Sequence, residues 1–465
     1  MKKSIILFLI VLFNSINCLS QPYIIETPIT GLHKPVAFAF LPNNNVIITH
    51  KDSLARIYTL NNVRVSVFWT FTDSLNSGFE RGVLGVCIDP NFVSNRYVYI
   101  YYNHSIPPNS NTNQRVRVVR FTENNNVGTN PLIVFEYLTG TIQGNHVGGN
   151  IRFGPDGKLF ISIGDNATSS NSQLLTNPRG KIHRINSNGS IPTDNPFYDD
   201  GNPNTGNDDR IWAYGLRNSF DFTFSPVNDS IYASENGPND FDEVNFIRKG
   251  KNYGWPICSG YCNPYNPNYK QPMAVWPSPL PAVTGVLGYN SNVMPQFNGR
   301  LLVADNDAGQ IHNCVLGNAP YFDTVNSRTV AFDLEGLTTL MQGTDGFIYA
   351  LNGGYTSTGK LYRIKPDNTG INSNQNSPDN FVLHQNFPNP FNPTTKITYS
   401  VAKKSFVTLR IFTPLGEELK TLVSEPKNPG TYEVYWDARD FPSGVYFYRL
   451  AAGDFTGEKK MVLIK

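Results

Sequence analysis

From residue 30 to 366 the chain repeats one phrase: an alternating apolar run, a turn, and a second alternating run. It is clearest in Val36-Ala-Phe-Ala-Phe-Leu-Pro-Asn-Asn-Asn-Val-Ile-Ile-Thr49 and in Ile151-Arg-Phe-Gly-Pro-Asp-Gly-Lys-Leu-Phe-Ile-Ser162. It returns at 85–90 with 97–102, at 222–226 with 231–234, at 340–350, and in shortened form at 297–305. Several copies are followed by a further strand with a small residue and then a polar or basic one, as in Ala55-Arg-Ile-Tyr58 and Gly359-Lys-Leu-Tyr-Arg-Ile364. A period of two predicts strands, and the Asp-Gly and Pro-Asn turns predict hairpins. One hairpin cannot bury its apolar face alone. Radial repetition of small sheets solves that and protects their edges. Six copies at about 55 residues each predict a six-bladed β-propeller over 21–366. A large β-sandwich is the runner-up, but it leaves the repeated phrase unexplained.

A polar stretch at 367–378 reads as a flexible linker. Beyond it, strand-like runs at 396–401, 407–412, 430–436, 444–451 and 459–464 predict a small Ig-like β-sandwich over 379–465. The fold class is therefore all-β. At the other end, Lys2 and Lys3 precede an apolar run at 5–13 that is too short to span a bilayer, with small residues at Cys18 and Ser20. These features predict a signal peptide at 1–20. A lipoprotein reading with Cys18 as the modified residue is the rival, and the bulky polar Asn17 argues against it. No other segment is long and apolar enough to be a membrane span.

Composition supports the pattern. Aromatic residues make up 13% of the chain and Gly and Pro are frequent, as expected of many short strands and turns. Charged residues make up only 16%, the net charge is +2, and no basic run stands out, so nothing points to nucleic acid or an anionic membrane as a partner. Cys258 and Cys262 share a Gly/Pro/Tyr loop and form either a local disulfide or two free thiols. No second Cys/His pair has zinc-ligand spacing.

The string Leu383-His-Gln-Asn-Phe-Pro-Asn-Pro-Phe-Asn-Pro-Thr-Thr-Lys-Ile397, with Ser443-Gly-Val-Tyr-Phe-Tyr448 and the final Lys459-Lys-Met-Val-Leu-Ile464, resembles the C-terminal sorting domain of the type IX secretion system. That resemblance implies the type IX machinery as a partner and a secreted or cell-surface location.

Four segments of the propeller resemble the soluble glucose/sorbosone dehydrogenase family, whose members use pyrroloquinoline quinone (PQQ). They are Glu80-Arg-Gly-Val-Leu-Gly85; His146-Val-Gly-Gly149 running to Gly164-Asp165; Tyr214-Gly-Leu-Arg-Asn218; and Glu235-Asn-Gly-Pro238 with Asp242-Glu243 and Asn252-Tyr-Gly-Trp-Pro256. Oxidising a sugar or polyol hydroxyl needs a base for the O–H proton, and a neutral imidazole suits that task. The resemblance implies His146 as that base with Asp165 beside it. It implies Arg217 as the electrostatic partner of the cofactor, and Glu80, Asn218 and Asn236 as polar contacts. The main-chain carbonyls of Gly237 and Pro238 match positions that bind Ca2+, and Asp242 and Glu243 add hard oxygens nearby.

The sequence also departs from the family. Asp307 stands where a cofactor-binding Lys is expected, and Gly336-Leu-Thr-Thr339 occupies an Arg-containing stretch. Glu80 replaces Gln and Ser219 replaces Pro. Burying the PQQ carboxylates without cations is costly. Two expectations follow: a secreted PQQ-type aldose or polyol dehydrogenase, or a non-catalytic extracellular propeller that binds carbohydrate or protein.

Overall fold

The computed structural model describes residues 23–464 apart from 111–112, 141–143, 226–227, 280, 318–321, 355–356, 368–380 and 387–388. The expected signal peptide and all of the expected linker except Asp367 lie outside the described residues. The chain forms two compact units, Met1–Pro366 and Asp367–Lys465.

The first unit holds six four-stranded antiparallel sheets. Blade one is Pro35–Phe40, Val46–His50, Leu54–Tyr58 and Arg64–Thr70. Blade two is Val83–Ile88, Tyr97–His104, Gln114–Asn124 and Val127–Gly140. Blade three is Ile151–Phe153, Leu159–Ile163, Lys181–Ile185 and Ile211–Tyr214. Blade four is Ser219–Phe224, Ile231–Glu235, Phe241–Ile247 and Ala274–Pro277. Blade five is Val283–Tyr289, Arg300–Asp305, Gln310–Leu316 and Val325–Asp333. Blade six takes Leu337–Gln342, Ile348–Asn352 and Gly359–Pro366 from the end of the unit and Tyr23–Leu32 from its start. That first strand pairs antiparallel with the last, Ile25 opposite Ile364, and closes the ring.

The core explains why a single hairpin would not stand alone. Each apolar cluster is shared between two neighbouring blades. Ile47, Phe68, Ile100 and Phe121 join blades one and two, and Ile29, Phe38, Tyr349 and Leu351 join blades six and one. Fully burying one such side chain contributes about 1.5–3 kcal/mol. Thr and Ser hydroxyls of the strands tie four of the six neighbouring blade pairs together. Thr49 donates to the carbonyl of Leu84 at 2.9 Å, Ser234 to Thr284 at 2.6 Å, and Thr284 to Leu337 at 2.7 Å. Thr339 of blade six donates to Val36 of blade one at 2.8 Å.

The second unit is a β-sandwich. A three-stranded sheet of Val382–Leu383, Thr394–Val401 and Gly430–Asp437 and a four-stranded sheet of Glu418–Lys427, Ser405–Phe412, Gly444–Ala452 and Phe455–Leu463 enclose Trp436, Tyr448, Ile397 and Leu409. The Tyr448 hydroxyl accepts the amide of Asn386 at 2.7 Å and donates to the carbonyl of His384 at 2.8 Å, pinning the proline-rich entry to the core. Strand Glu418–Lys427 was not among the expected runs. It is an outer strand with mostly exposed, charged side chains, so its apolar alternation is weak. Cys258 and Cys262 are bridged, while Cys87 and Cys314 are free. Among the described residues, no helix is long and apolar enough to cross a membrane.

Candidate active site

Four blades and the segments that connect the others line a cavity of about 340 Å³. Segments after the second strands of blades one, four, five and six, and segments at or before first strands, supply its lining. Lys51 follows Val46–His50, Asn236 follows Ile231–Glu235, Asn306 follows Arg300–Asp305, and Gly353 follows Ile348–Asn352. Glu80, His146, Arg217 and Asn218 line the same cavity, with Val36 and Phe220 as apolar wall.

His146 is held in a left-handed backbone conformation, φ 55°, on the segment between blades two and three. Its amide donates to Glu80 Oε2 at 2.6 Å. Its carbonyl accepts the Asn166 side-chain amide at 3.0 Å, and Asn166 is itself braced by the Tyr137 hydroxyl at 3.0 Å. Gly164 must be glycine here, because a Cβ would sit 2.1 Å from the His146 carbonyl oxygen.

The imidazole is fixed from both sides. Nδ1 lies 2.7 Å from Asp165 Oδ1, and Nε2 lies 2.8 Å from Arg217 Nη2. Guanidinium can only donate, so Nε2 accepts and Nδ1 carries the proton that Asp165 receives. The ring is therefore held as the Nδ1–H tautomer, with its Nε2 lone pair directed at Arg217, and both side chains line the cavity. Asp165 is 1% exposed, and its oxygens also take the Ala167 amide and the Trp255 indole N–H, each at 2.8 Å. Trp255 has a second contact, with the Arg217 guanidinium 5.6 Å from its ring centroid.

Arg217 is oriented by a buried carboxylate. Glu235 accepts the amides of Arg217 and Asn218 and the hydroxyl of Ser219, the last at 2.6 Å. Burial pushes its carboxyl up to about 8, with repulsion from Glu243 adding to the effect. Ser219 is thus the partner of Glu235, which gives the departure from Pro a physical reason. Arg217 Nη1 donates to the Asn236 carbonyl at 2.7 Å, and Asn218 Oδ1 accepts the Gly148 amide at 3.0 Å.

The structure brings Glu80, His146, Asp165, Arg217, Asn218 and Asn236 into one connected site. The other four candidates divide. Gly237, Pro238 and Glu243 line a small adjoining cavity of about 20 Å³, whereas Asp242 caps the turn beside it. Asp242 accepts the amides of Gly237 at 2.9 Å and Val283 at 3.0 Å. Adjacent residues of a strand face opposite sides, so Asp242 and Glu243 do not converge. Burial raises both carboxyls, that of Glu243 to about 7.

Asp307 is exposed and outside the cavity lining, so it does not place a negative charge on the cavity. Lys51, which sequence reasoning passed over, does face the cavity. Its Nζ donates to the Ser77 carbonyl at 2.7 Å, and burial lowers its pKa to about 8, helped by nearby Lys34. The position after the second strand, which lines the cavity in four of the six blades, is the signal that could have found it.

The sequence profile described as Glucose / Sorbosone dehydrogenase matches residues 32–363, and that described as Secretion system C-terminal sorting domain matches 385–465. An aldose sugar dehydrogenase of Escherichia coli is 30% identical over 350 residues, covering 72% of this chain and 91% of the relative. The apo form of a soluble aldose sugar dehydrogenase from the same organism superposes with a TM-score of 0.65 at 26% identity, covering 74% of this chain and all of the other. The PQQ-bound aldose sugar dehydrogenase of Streptomyces coelicolor shares the fold, with a TM-score of 0.62 at 21% identity over 74% of this chain and 99% of that one. The chain belongs to the glucose/sorbosone dehydrogenase family, as a six-bladed propeller followed by a type IX secretion C-terminal sorting domain.

Proposed function

We propose that this protein is an exported, PQQ-dependent dehydrogenase that oxidises a hydroxyl of an aldose or polyol, with His146 as general base. The observation that carries this reading is the imidazole held on the cavity wall between Asp165 and Arg217, with Nε2 accepting from Arg217. A hydroxyl that displaces the Arg217 contact would meet an unprotonated nitrogen, and Asp165 would stabilise the imidazolium that forms.

The cavity suits a planar anionic quinone. Its volume falls within the range of about 300–1,000 Å³ typical of small-molecule and cofactor sites. Lys51 and Arg217 offer two cations for carboxylates, and Phe220 and Val36 offer apolar walls. Lys51 compensates for the cations missing from blades five and six. Bound PQQ would supply the two-electron acceptor for the hydride. Arg217 would hold the developing negative charge, and Asn218 and Asn236 would orient the ligand. The carbonyls of Gly237 and Pro238 with the Glu243 carboxylate are hard oxygen donors suited to calcium beside it.

The alternative, a propeller that only binds carbohydrate or protein, draws support from the Glu80 carboxylate on the cavity wall. Titrating the purified protein with PQQ and Ca2+, then assaying dye reduction over a panel of aldoses and polyols, separates the two. Cofactor binding at about micromolar concentration with sugar-dependent dye reduction is expected. Sugar binding without cofactor binding would overturn the enzyme reading.

A further inference from the structure

Blade three carries a long loop that the central site does not use. It joins Lys181–Ile185 to Ile211–Tyr214 and contains Asp199-Asp-Gly-Asn-Pro-Asn-Thr-Gly-Asn-Asp-Asp209, a run dominated by hard oxygen donors. The loop doubles back so that one carboxylate oxygen from each of Asp199, Asp200 and Asp209 lies within 4.8 Å of the others. Like charges this close repel.

Asp199 and Asp200 are exposed and can share their charge with water. Asp209 cannot, because it is 0% exposed. Its Oδ1 accepts the Asp199 amide at 2.5 Å, and its Oδ2 has no hydrogen-bond partner. A buried carboxylate oxygen without a donor is costly, and two neighbouring carboxylates make it more so. The basic residues of the segment have other partners. Arg210 pairs with Asp208 at 2.7 Å, and Arg184 pairs with Asp156 at 2.8 Å and Asp194 at 2.9 Å.

We propose that Asp199, Asp200 and Asp209 bind a calcium ion at a structural site separate from the central cavity. A divalent cation would give Asp209 Oδ2 its missing partner and convert mutual repulsion into shared coordination. The all-oxygen donor set on a Gly- and Asn-rich loop matches the variable, high coordination of calcium better than strict octahedral magnesium. It offers none of the nitrogen or sulfur that zinc favours. The loop runs through Asp208 and Arg210 into the outer strand of blade three, which leads on to Arg217. The ion would therefore brace the strand that delivers an active-site residue.

The test uses the full mature chain, stripped with a chelator and titrated with Tb3+ and then Ca2+. Tyr198 adjoins the cluster, its hydroxyl 2.8 Å from where a Gly201 Cβ would be, and should sensitise terbium luminescence. Emission displaced by Ca2+ and lost in Tyr198→Phe is expected, with the calcium-dependent rise in melting temperature retained in that variant. Asp200→Asn should weaken Ca2+ binding by about tenfold or more, since affinity follows ligand charge. Asp209→Asn should remove the calcium-dependent rise, also in a Glu243→Gln background, which separates this ion from one beside the central cavity. Should Asp209→Asn fail to fold, the exposed Asp200 carries the result. Unchanged Ca2+ affinity in Asp200→Asn overturns the site. So does an Asp209→Asn protein that is stabilised equally with and without calcium, because Asp209 would then be only a strained acid.

Discussion

Arg217 donates through Nη2 to Nε2 of His146 at 2.8 Å, and this contact selects the Nδ1–H tautomer of the imidazole. With Asp165 on the opposite nitrogen, the ring carries its proton on Nδ1 and presents a lone pair. The same guanidinium therefore guards the base and must yield it when a hydroxyl enters. The arrangement is preorganised because Arg217 is held through its own amide by Glu235 and through Nη1 by the Asn236 carbonyl.

His146→Ala should lower kcat by about 10²–10⁴-fold, the range expected for loss of a positioned general base, with the melting temperature little changed. Asp165→Asn should weaken the preference for the Nδ1–H tautomer. Nitrogen-15 NMR of the imidazole would read this directly, without depending on turnover. Retained kcat in His146→Ala would remove His146 from the mechanism.

Lys51 should anchor an anionic cofactor. Losing a hydrogen bond to a charged group costs about 1.5–3 kcal/mol, so Lys51→Met should weaken PQQ binding by roughly 10- to 150-fold. Its ammonium has a pKa lowered to about 8 by burial, so cofactor affinity should fall as pH rises through 8 in the wild type. That pH dependence should flatten in Lys51→Met. A spectroscopic cofactor titration at pH 6, 7, 8 and 9 checks both.

Most of the propeller was legible because hairpin alternation survives wherever one face of a sheet is buried. Blade five was only half legible. Its first strand, Val283–Tyr289, contains Gly285 and Gly288, which break the pattern. Gly285 is there because a Cβ would lie 2.6 Å from the backbone nitrogen of Leu340 in blade six. Ring closure by Tyr23–Leu32 left no local sign, since its partner strand is Gly359–Pro366 at the far end of the unit. The motif residues His146, Asp165 and Arg217 were legible from family resemblance. Lys51 was not, because it is a lone lysine whose meaning comes only from its place in the repeat. Thr339, read at first as a lost cofactor contact, is the hydroxyl that ties blade six to blade one.

Acid should destabilise the propeller through two buried histidines. His183 is 0% exposed, its Nε2 faces the Pro178 carbonyl at 2.7 Å, and its Nδ1 has no hydrogen-bond partner. Burial lowers its pKa to about 4, and burial with nearby Arg117 does the same for His104. Between pH 4 and 6.5 the unfolded chain binds more protons than the folded one. Stability is therefore full above 6.5 and is lost as pH falls toward 4. The shift at His183 corresponds to about 3 kcal/mol, at about 1.4 kcal/mol per pKa unit. Denaturant melts of wild type and His183→Gln at pH 7.5 and 4.5 should show a smaller acid loss in the variant.

The sorting domain should be dispensable for folding and for any chemistry. The propeller closes its ring with its own first strand, and the C-terminal sandwich has its own core around Trp436 and Tyr448. A chain truncated after Pro366 should keep the cofactor titration of the full-length protein. Its propeller should melt within about 2 °C of the full-length value, a shift worth about 1.4 kcal/mol for a domain of this size. In a host with type IX secretion, the truncated protein should accumulate in the periplasm instead of reaching the surface or medium. By contrast, deleting Tyr23–Leu32 should unfold blade six. Its loss strips the antiparallel partner from Gly359–Pro366, removes Ile29 and Leu32 from the apolar cluster shared with blade one, and breaks the ion pairs of Glu26 with Arg363 and Lys365. A truncated propeller that melts far below the full-length one would show instead that the sandwich supports it.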